Sequence, residues 1–205
     1  MNPLPPVSNP RLLREILESR KKLQLPIAGS SMLPCMRSGD VATIVSRESA
    51  CRMGDVIVRV DQAKPVIHRV VWVSSGEGPL MLVTKGDCSR HLDPVCGLDD
   101  LLGSVESISR GNRICFLNGG VLDKLAEWLA RLTAKRFRLG QRFQTDDLWR
   151  EIELDTQVMP KPSLTDLVLR GLILSVRSIH GMVFRFRMKP YNGNPESDRF
   201  HNDKD

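Results

Sequence analysis

Gly29–Asp40 reads GSSMLPCMRSGD, and the apolar run Val41–Val45 (VATIV) comes directly after it. Its glycines and its proline fix the local backbone, and the Val- and Ile-rich run predicts a strand that anchors the segment to a core. Ser31, in a turn of this kind, is a candidate nucleophile. Serine-rich turns before strands are also common without any catalytic role, so the interpretation depends on residues later in the chain.

The groups that could complete a hydrolytic site occur in a suitable order. His68 lies inside an apolar run, Val66–Val71 (VIHRVV), and Thr84–Asp87 (TKGD) and Asp93 come after it. A hydroxyl, an imidazole and a carboxylate are the parts of a serine hydrolase. Neutral imidazole can accept a hydroxyl proton near neutral pH. A histidine in an apolar strand is, taken alone, more often structural.

Short β runs occupy the chain from Leu25 to about Phe116 and define its fold class. Turn signals that contain glycine separate these runs. The predicted strands are Val41–Val45, Val56–Val60, Val66–Val73, Leu80–Thr84 and Val105–Ile108. Because no helical pattern comes between them, they imply a mainly β protein with an antiparallel, partly coiled β unit.

Helical patterns flank the β unit. Asn9 can cap a helix that has Pro10 in its first turn and runs to about Lys22. Leucines at helical spacing predict a second helix over Val121–Leu139, whose last third is basic. These basic residues suit a helix C-terminus in any case, and an interfacial membrane helix is the alternative.

The rest of the C-terminal part gives weaker signals. Asp146–Leu154 predicts a short helix, and a capped segment is expected from Ser163 onward. The alternation in Phe184–Met188 predicts an edge strand. We therefore divide the chain into an N-terminal helix (1–23), the β unit (24–117), a helical C-terminal extension (118–190) and a disordered tail (191–205).

Composition excludes several classes of protein. The chain has 205 residues, 41% apolar, with a net charge of +6, one Tyr and three Trp. So few aromatic residues argue against a stacking platform for nucleic acid. The five cysteines have irregular spacing and no CxxC pair, which predicts reduced thiols and no metal site. We find no signal peptide and no run of the roughly 20 apolar residues that a bilayer span requires, which favours a cytoplasmic location and leaves peripheral membrane binding open.

With these residues in view, Gly29–Asp40 resembles the nucleophile box, Gly-x-Ser-Met-x-Pro-x-x-x-x-Gly-Asp, of signal peptidases I and self-cleaving SOS-type repressors. Gly54–Val58 followed by His68-Arg69 is similar to the second box of these families. Thr84–Asp87 is similar to the third, and Gly103–Val105 to their last short strand. The resemblance covers residues 24–110 and implies a serine peptidase of that fold.

The second box indicates the subtype. Bacterial signal peptidases and SOS-type repressors use a serine and a lysine, whereas the base position here holds His68, as in the endoplasmic-reticulum and archaeal type. That resemblance implies a catalytic Ser31, His68 and Asp93, with Asp87 in support, and leaves open which aspartate orients His68. Lys85 is the main rival base, and Lys64 is a weaker one.

Three residues of the nucleophile box are expected to support Ser31. They are Gly29, Ser30 and Met32. The backbone N–H of Ser31 is the natural oxyanion donor. Some relatives carry a hydroxyl two residues before the nucleophile. Gly29 stands at that position, and a compensating role for Ser30 is left open.

The resemblance implies an endopeptidase that needs no cofactor and cleaves a leader or propeptide after small side chains. Its substrate would lie as an extended strand beside the sheet. The alternative is a self-cleaving or degenerate regulatory or scaffold protein of the same fold. A self-cleavage site at Ala28-Gly29 is too close to Ser31 to reach it. The basic helix over residues 121–139 could contact a membrane or a partner protein.

Overall fold

The computed structural model describes residues 9–46, 51–74, 78–117, 119–139 and 164–190. Helix α1 precedes eight strands, and helices α2 and α3 come before a ninth. The elements are α1 (Pro10–Arg20), β1 (Lys22–Pro26), β2 (Val41–Val45), β3 (Val56–Asp61), β4 (Lys64–Val73), β5 (Met81–Lys85), β6 (Cys96–Gly97), β7 (Leu101–Arg110), β8 (Arg113–Phe116), α2 (Gly120–Arg136), α3 (Leu164–Arg187) and β9 (Lys189–Pro190). A short 3₁₀ turn, Leu98–Asp100, links β6 to β7.

The strands pair antiparallel in the order β1-β2-β7-β3-β4-β5-β6, with β8 joining β7 to β9. Register shifts interrupt the pairing of β7 with β2 and β3, and of β4 with β5. Such bulges increase local twist, which lets the long strand β7 pair with several neighbours. The mainly β fold class predicted from the sequence is confirmed.

All five predicted strands are present, and α1 has the predicted Asn9 cap, whose side chain accepts from the Arg11 N–H. The helix ends at Arg20, and β1 begins at Lys22, ahead of the predicted boundary at residue 24. The prediction missed β1, β6, β8 and β9. Strand β1 has only two apolar side chains besides its proline, and β6, β8 and β9 are short.

The predicted edge strand over Phe184–Met188 is wrong. Helix α3 continues to Arg187, where Phe184 and Met188 are buried and Phe186 is 82% exposed. The buried residues Phe184 and Met188 are four positions apart, which is the spacing of one face of a helix. The alternation of Phe and Arg in the sequence concealed this spacing. The predicted helix over Asp146–Leu154 and the tail from residue 191 lie outside the described residues.

One core cluster joins the sheet to helices α1 and α3. It includes Leu13 and Leu17 from α1, Phe184 from α3 and Met188 directly after that helix, which pack around the apolar faces of β1, β2, β3 and β7. Helix α2 lies against β4 and α3. The C-terminal helices are therefore part of the packed structure around the sheet.

By length and composition, Thr165–Arg187 is apolar enough to cross a membrane, a test that core helices of soluble proteins also pass. In the sequence, Arg170 and Arg177 interrupt this apolar segment. Arg177 turns toward the domain, where its Nη1 donates to the carbonyl oxygen of Asp87 at 2.9 Å. The expectation that no segment was long enough is thus corrected, and a cytoplasmic location stays a prediction.

Candidate active site

Ser31 lies in the loop between β1 and β2, hereafter the nucleophile turn (residues 29–36). Three apolar side chains of this turn, Met32, Cys35 and Met36, are buried in the main core. The base of the loop is closed by backbone bonds from Ile27 N–H to Asp40 O and from Gly39 N–H to Ile27 O, at 2.8 and 2.9 Å. These anchors hold a partly exposed serine on a fixed backbone.

The carboxylate of Asp40 closes the same loop from a second side. It is almost fully buried and pairs with Arg110 of β7 through two bonds of 2.6 and 2.7 Å. Gly39 has φ +89°, a conformation that favours glycine. The Gly-Asp pair at the end of the motif thus has a structural explanation.

His68 reaches Ser31 from β4. Its Nε2 lies 3.0 Å from the Oγ of Ser31, within the distance at which a base can take a proton. The histidine is 9% exposed, so it is held by packing while its edge meets the serine.

Asp93 lies on the other side of the imidazole. Its Oδ2 is 2.5 Å from His68 Nδ1 and also accepts from the Thr84 hydroxyl at 2.6 Å. A proton on Nδ1 that donates to Asp93 leaves Nε2 free to accept the serine proton. The structure therefore brings Ser31, His68 and Asp93 into one hydrogen-bonded chain, with Thr84 as a further member.

Asp87 occupies a different place. Both its oxygens accept from Arg69, each at 2.8 Å, and Arg69 also donates to Gly54 O. Burial alone would raise the pKa of Asp87, but the adjacent Arg69 guanidinium holds that pKa below its usual range. Asp87 therefore contacts Arg69, and Asp93 is the aspartate that contacts His68.

The two lysines considered as rival bases lie elsewhere. Lys85 is buried, which lowers its pKa, and its Nζ donates to Gly86 O at 2.9 Å. Lys64 is exposed at the far end of β4, where its backbone is in register with Asp61 of β3. Of these three side chains, His68 is the one that contacts the Oγ of Ser31.

Gly86 explains why the third motif contains a glycine. A Cβ at this position would lie 2.8 Å from the Ser31 Cβ and 2.9 Å from the Ser31 carbonyl oxygen. The next turn donates to that same carbonyl oxygen, from Cys88 N–H at 2.6 Å. The backbone after β5 thus supports the serine from behind, and only glycine permits the close approach.

Three residues of α3 that contact the nucleophile turn or its support were not predicted. They are Arg177, His180 and Gly181, and His180 Nδ1 lies 2.8 Å from the Sγ of Cys35. A Cβ on Gly181 would collide with the ring of Pro34, so α3 packs directly against the turn. An apolar helix with one histidine gives no sequence signal of such a contact.

Cys35, Asp87 and His180 bring three possible metal ligands within 4.8 Å of one another. Arg69, however, already occupies both oxygens of Asp87. Burial raises the pKa of Cys35 to about 12, so its thiol stays protonated. With Arg69 on Asp87 and the Cys35 thiol against His180, the three side chains belong to a buried hydrogen-bonded cluster.

His180 predicts a pH dependence of stability. Burial, and then Arg69, lower its pKa to about 4, against about 6.5 in an unfolded chain. Between these values the unfolded state binds more protons, so the unfolding free energy falls as the pH is lowered from about 6.5 toward 4. We expect a loss of about 2 kcal/mol between pH 7 and pH 5 from this group.

The measurement is urea unfolding at the two pH values, for the wild type and His180→Gln. The difference between the two proteins isolates His180 from the other histidines. The groups that face it are Cys35, Asp87 and Arg69, and Asp87 with its lowered pKa titrates below this window. Equal pH dependence in both proteins would contradict the prediction.

A cavity of about 740 Å³ lies between α2 and the far side of the nucleophile turn. Its walls include Cys35, Arg69, Glu127 and His180. The chain of Ser31, His68 and Asp93 is not part of its lining. An extended peptide laid along a sheet requires no enclosed cavity.

No protein-family model matches the chain. Over 79 residues, 38% of the chain, it is 32% identical to the signal peptidase complex catalytic subunit SEC11 of Clavispora lusitaniae. The aligned segment covers 47% of that protein, so the chain spans about half the length of the curated relative it matches. The resemblance to signal peptidases is confirmed by this similarity.

Proposed function

From its similarity to the signal peptidase I and SOS-repressor superfamily, we propose that this chain is a serine endopeptidase that uses Ser31, His68 and Asp93. The observation that carries the proposal is a pair of contacts made by one imidazole. The first joins Ser31 Oγ to His68 Nε2, and the second joins His68 Nδ1 to Asp93 Oδ2. The first contact supplies a base for the hydroxyl, and the second fixes the tautomer and stabilises the imidazolium that forms.

The reaction uses these positions in turn. Ser31 Oγ attacks the scissile carbonyl carbon while its proton passes to His68 Nε2. The C–N bond then breaks as the imidazolium gives this proton to the departing amine, which leaves an acyl-serine ester. Water, deprotonated by His68, hydrolyses the ester and restores Ser31. The oxyanion is stabilised by the backbone N–H of Ser31.

The substrate proposed is a leader or propeptide segment in extended form, cleaved after small side chains. Ala28, Gly29 and Ser30 are exposed and lead from β1 directly into Ser31. Within the described residues, β1 is the outer strand at its end of the sheet. A peptide that pairs with this edge gains backbone hydrogen bonds without an enclosed pocket.

The test is cleavage of a library of leader-like peptides, together with labelling by a serine-directed phosphonate probe. Wild type is compared with Ser31→Ala and His68→Ala. We expect both variants to lose cleavage and labelling by at least ~10³-fold, because each removes a member of one catalytic unit.

The matched controls are Ser38→Ala and His91→Ala, which alter an exposed serine and an exposed histidine nearby. Both are expected to keep most of the activity. Labelling that persists in Ser31→Ala, or cleavage that survives His68→Ala and is lost in Lys85→Met, would overturn the assignment. A wild type inactive in both assays would favour the scaffold alternative.

A further inference from the structure

Helix α3 carries a second apolar face that points away from the domain. Its exposed residues recur at spacings of three and four, which places them on one side of the helix. They are Val168, Leu172, Ser175, Ile179, Met182 and Phe186. This outer stripe spans about 27 Å at the rise of an α-helix.

The outer stripe is unusual in its exposure and its charge. Leu172, Ile179 and Met182 are 47%, 44% and 52% exposed, and Phe186 is 82% exposed. No acidic residue occurs between Leu167 and Phe186. Apolar surface of this continuity is rare on monomeric proteins unless something covers it.

The charges next to the outer stripe are positive. Arg185 and Lys189 are exposed on either side of Phe186, at the C-terminal end of the helix. The chain as a whole carries a net charge of +6. An uncharged apolar stripe that ends in cations suits an anionic lipid surface, where both the apolar side chains and the cations find favourable partners.

The inner face of α3 excludes a membrane-crossing arrangement of the folded protein. Phe184 and Met188 are buried in the main core, and Gly181 lies against Pro34. Arg177 and His180 make polar contacts with the domain. The helix would have to leave all of these contacts in order to span a bilayer.

We therefore propose that the outer stripe of α3 lies in the surface of an anionic membrane, with the helix parallel to the bilayer plane. The inner face stays docked on the domain, and only the outer half of the helix enters the interface. Arg185 and Lys189 meet the lipid headgroups, and Phe186 enters among the acyl chains. This surface differs from the basic part of α2, for which membrane contact was the sequence-based alternative, and it does not depend on peptidase activity.

The test is co-sedimentation of the full chain with vesicles of phosphatidylcholine and phosphatidylglycerol, beside vesicles of phosphatidylcholine alone. We expect binding to the anionic vesicles that weakens, without vanishing, at high salt, since salt screens only the charged part. The double variant Ile179→Glu/Met182→Glu should bind at least ~10-fold more weakly, because two apolar side chains that would enter the lipid become charged.

The matched control is Leu98→Glu, which makes the same change at a 54% exposed leucine outside α3. It is expected to bind as the wild type does. In a second measurement, Phe186→Trp reports its surroundings directly, and its emission should shift to shorter wavelength on vesicle binding.

Four results would overturn the proposal. One is the absence of binding to either kind of vesicle. Another is equal loss of binding in Leu98→Glu and the double variant. A third is an unchanged Phe186→Trp emission in the bound state. The fourth is a dimer in solution that the double variant dissociates, since a second copy of the chain would then cover the outer stripe.

Discussion

Replacing Asp93 with asparagine is expected to lower the cleavage rate by about 10⁴-fold while leaving the fold intact. The carboxylate of Asp93 accepts from His68 Nδ1 and from Thr84. An amide at this position can donate to Nδ1, which favours the tautomer with its proton on Nε2. Nε2 would then have no lone pair for the Ser31 proton.

The measurement is the rate of serine labelling, and of cleavage of the best library peptide, with kcat and KM determined separately. The loss should appear in kcat, because the substrate-binding surface is unchanged. Asp99→Asn, at an exposed aspartate, is the matched control and should behave as the wild type. A rate near that of the wild type in Asp93→Asn would mean that Asp93 does not orient His68.

Replacing Arg69 with methionine is expected to destabilise the protein by about 3–5 kcal/mol. Arg69 and Asp87 are both buried, at 2% and 8% exposure, and they share two hydrogen bonds. The variant leaves a buried carboxylate without its counter-charge and removes the donor to Gly54 O. The cost exceeds that of a surface pair because little water can replace the guanidinium.

Urea unfolding at pH 7 measures this cost, and Arg37→Met provides the matched control. Arg37 is exposed and approaches Asp40 at 3.8 Å, so its loss should cost no more than about 1 kcal/mol. In the wild type, the lowered pKa of Asp87 means that stability from this pair is present above the unfolded pKa, near 4, and is lost as the pH falls from there through the folded pKa.

In Arg69→Met, acidification is expected to have the opposite effect on the stability contributed by Asp87. Without its partner, buried Asp87 should have a raised pKa, because burial disfavours the charged form. Acidification from pH 7 then lets Asp87 become neutral, and part of the lost stability should return relative to the wild type. If Arg69→Met costs no more than Arg37→Met, the buried pair does not stabilise the fold in this way.

The strands that were predictable share one property. Runs such as Val41–Val45 and Val66–Val73 are dense in β-branched residues, whose preference for strands is strong. Strand β1 (Lys22–Pro26) has two leucines among polar residues, and its pairing with β2 decides its structure. Phe184–Met188 shows the opposite failure, since a local alternation matched a strand while burial in the core selected the helix.

The candidate site also has a part that the sequence could predict and a part that it could not. Ser31, His68 and Asp93, which the structure brings into contact, could be predicted as a group because motifs with a fixed order carry them. The choice between Asp87 and Asp93 required the structure, since both come after β5 within a few residues. The contacts of His180 and Gly181 join positions separated by about 145 residues, and no local pattern reports a packing contact of that range.

In this protein, the motifs occupy a shorter part of the chain than the residues that pack into one core. The stretch that resembles peptidases ends near residue 110, yet Phe184 and Met188 fill the same core as Met32 and Cys35. A chain that ended after β8 would open the underside of the nucleophile turn to water. Helix α3, classed from the sequence as an extension, therefore forms part of the packed structure that supports Ser31.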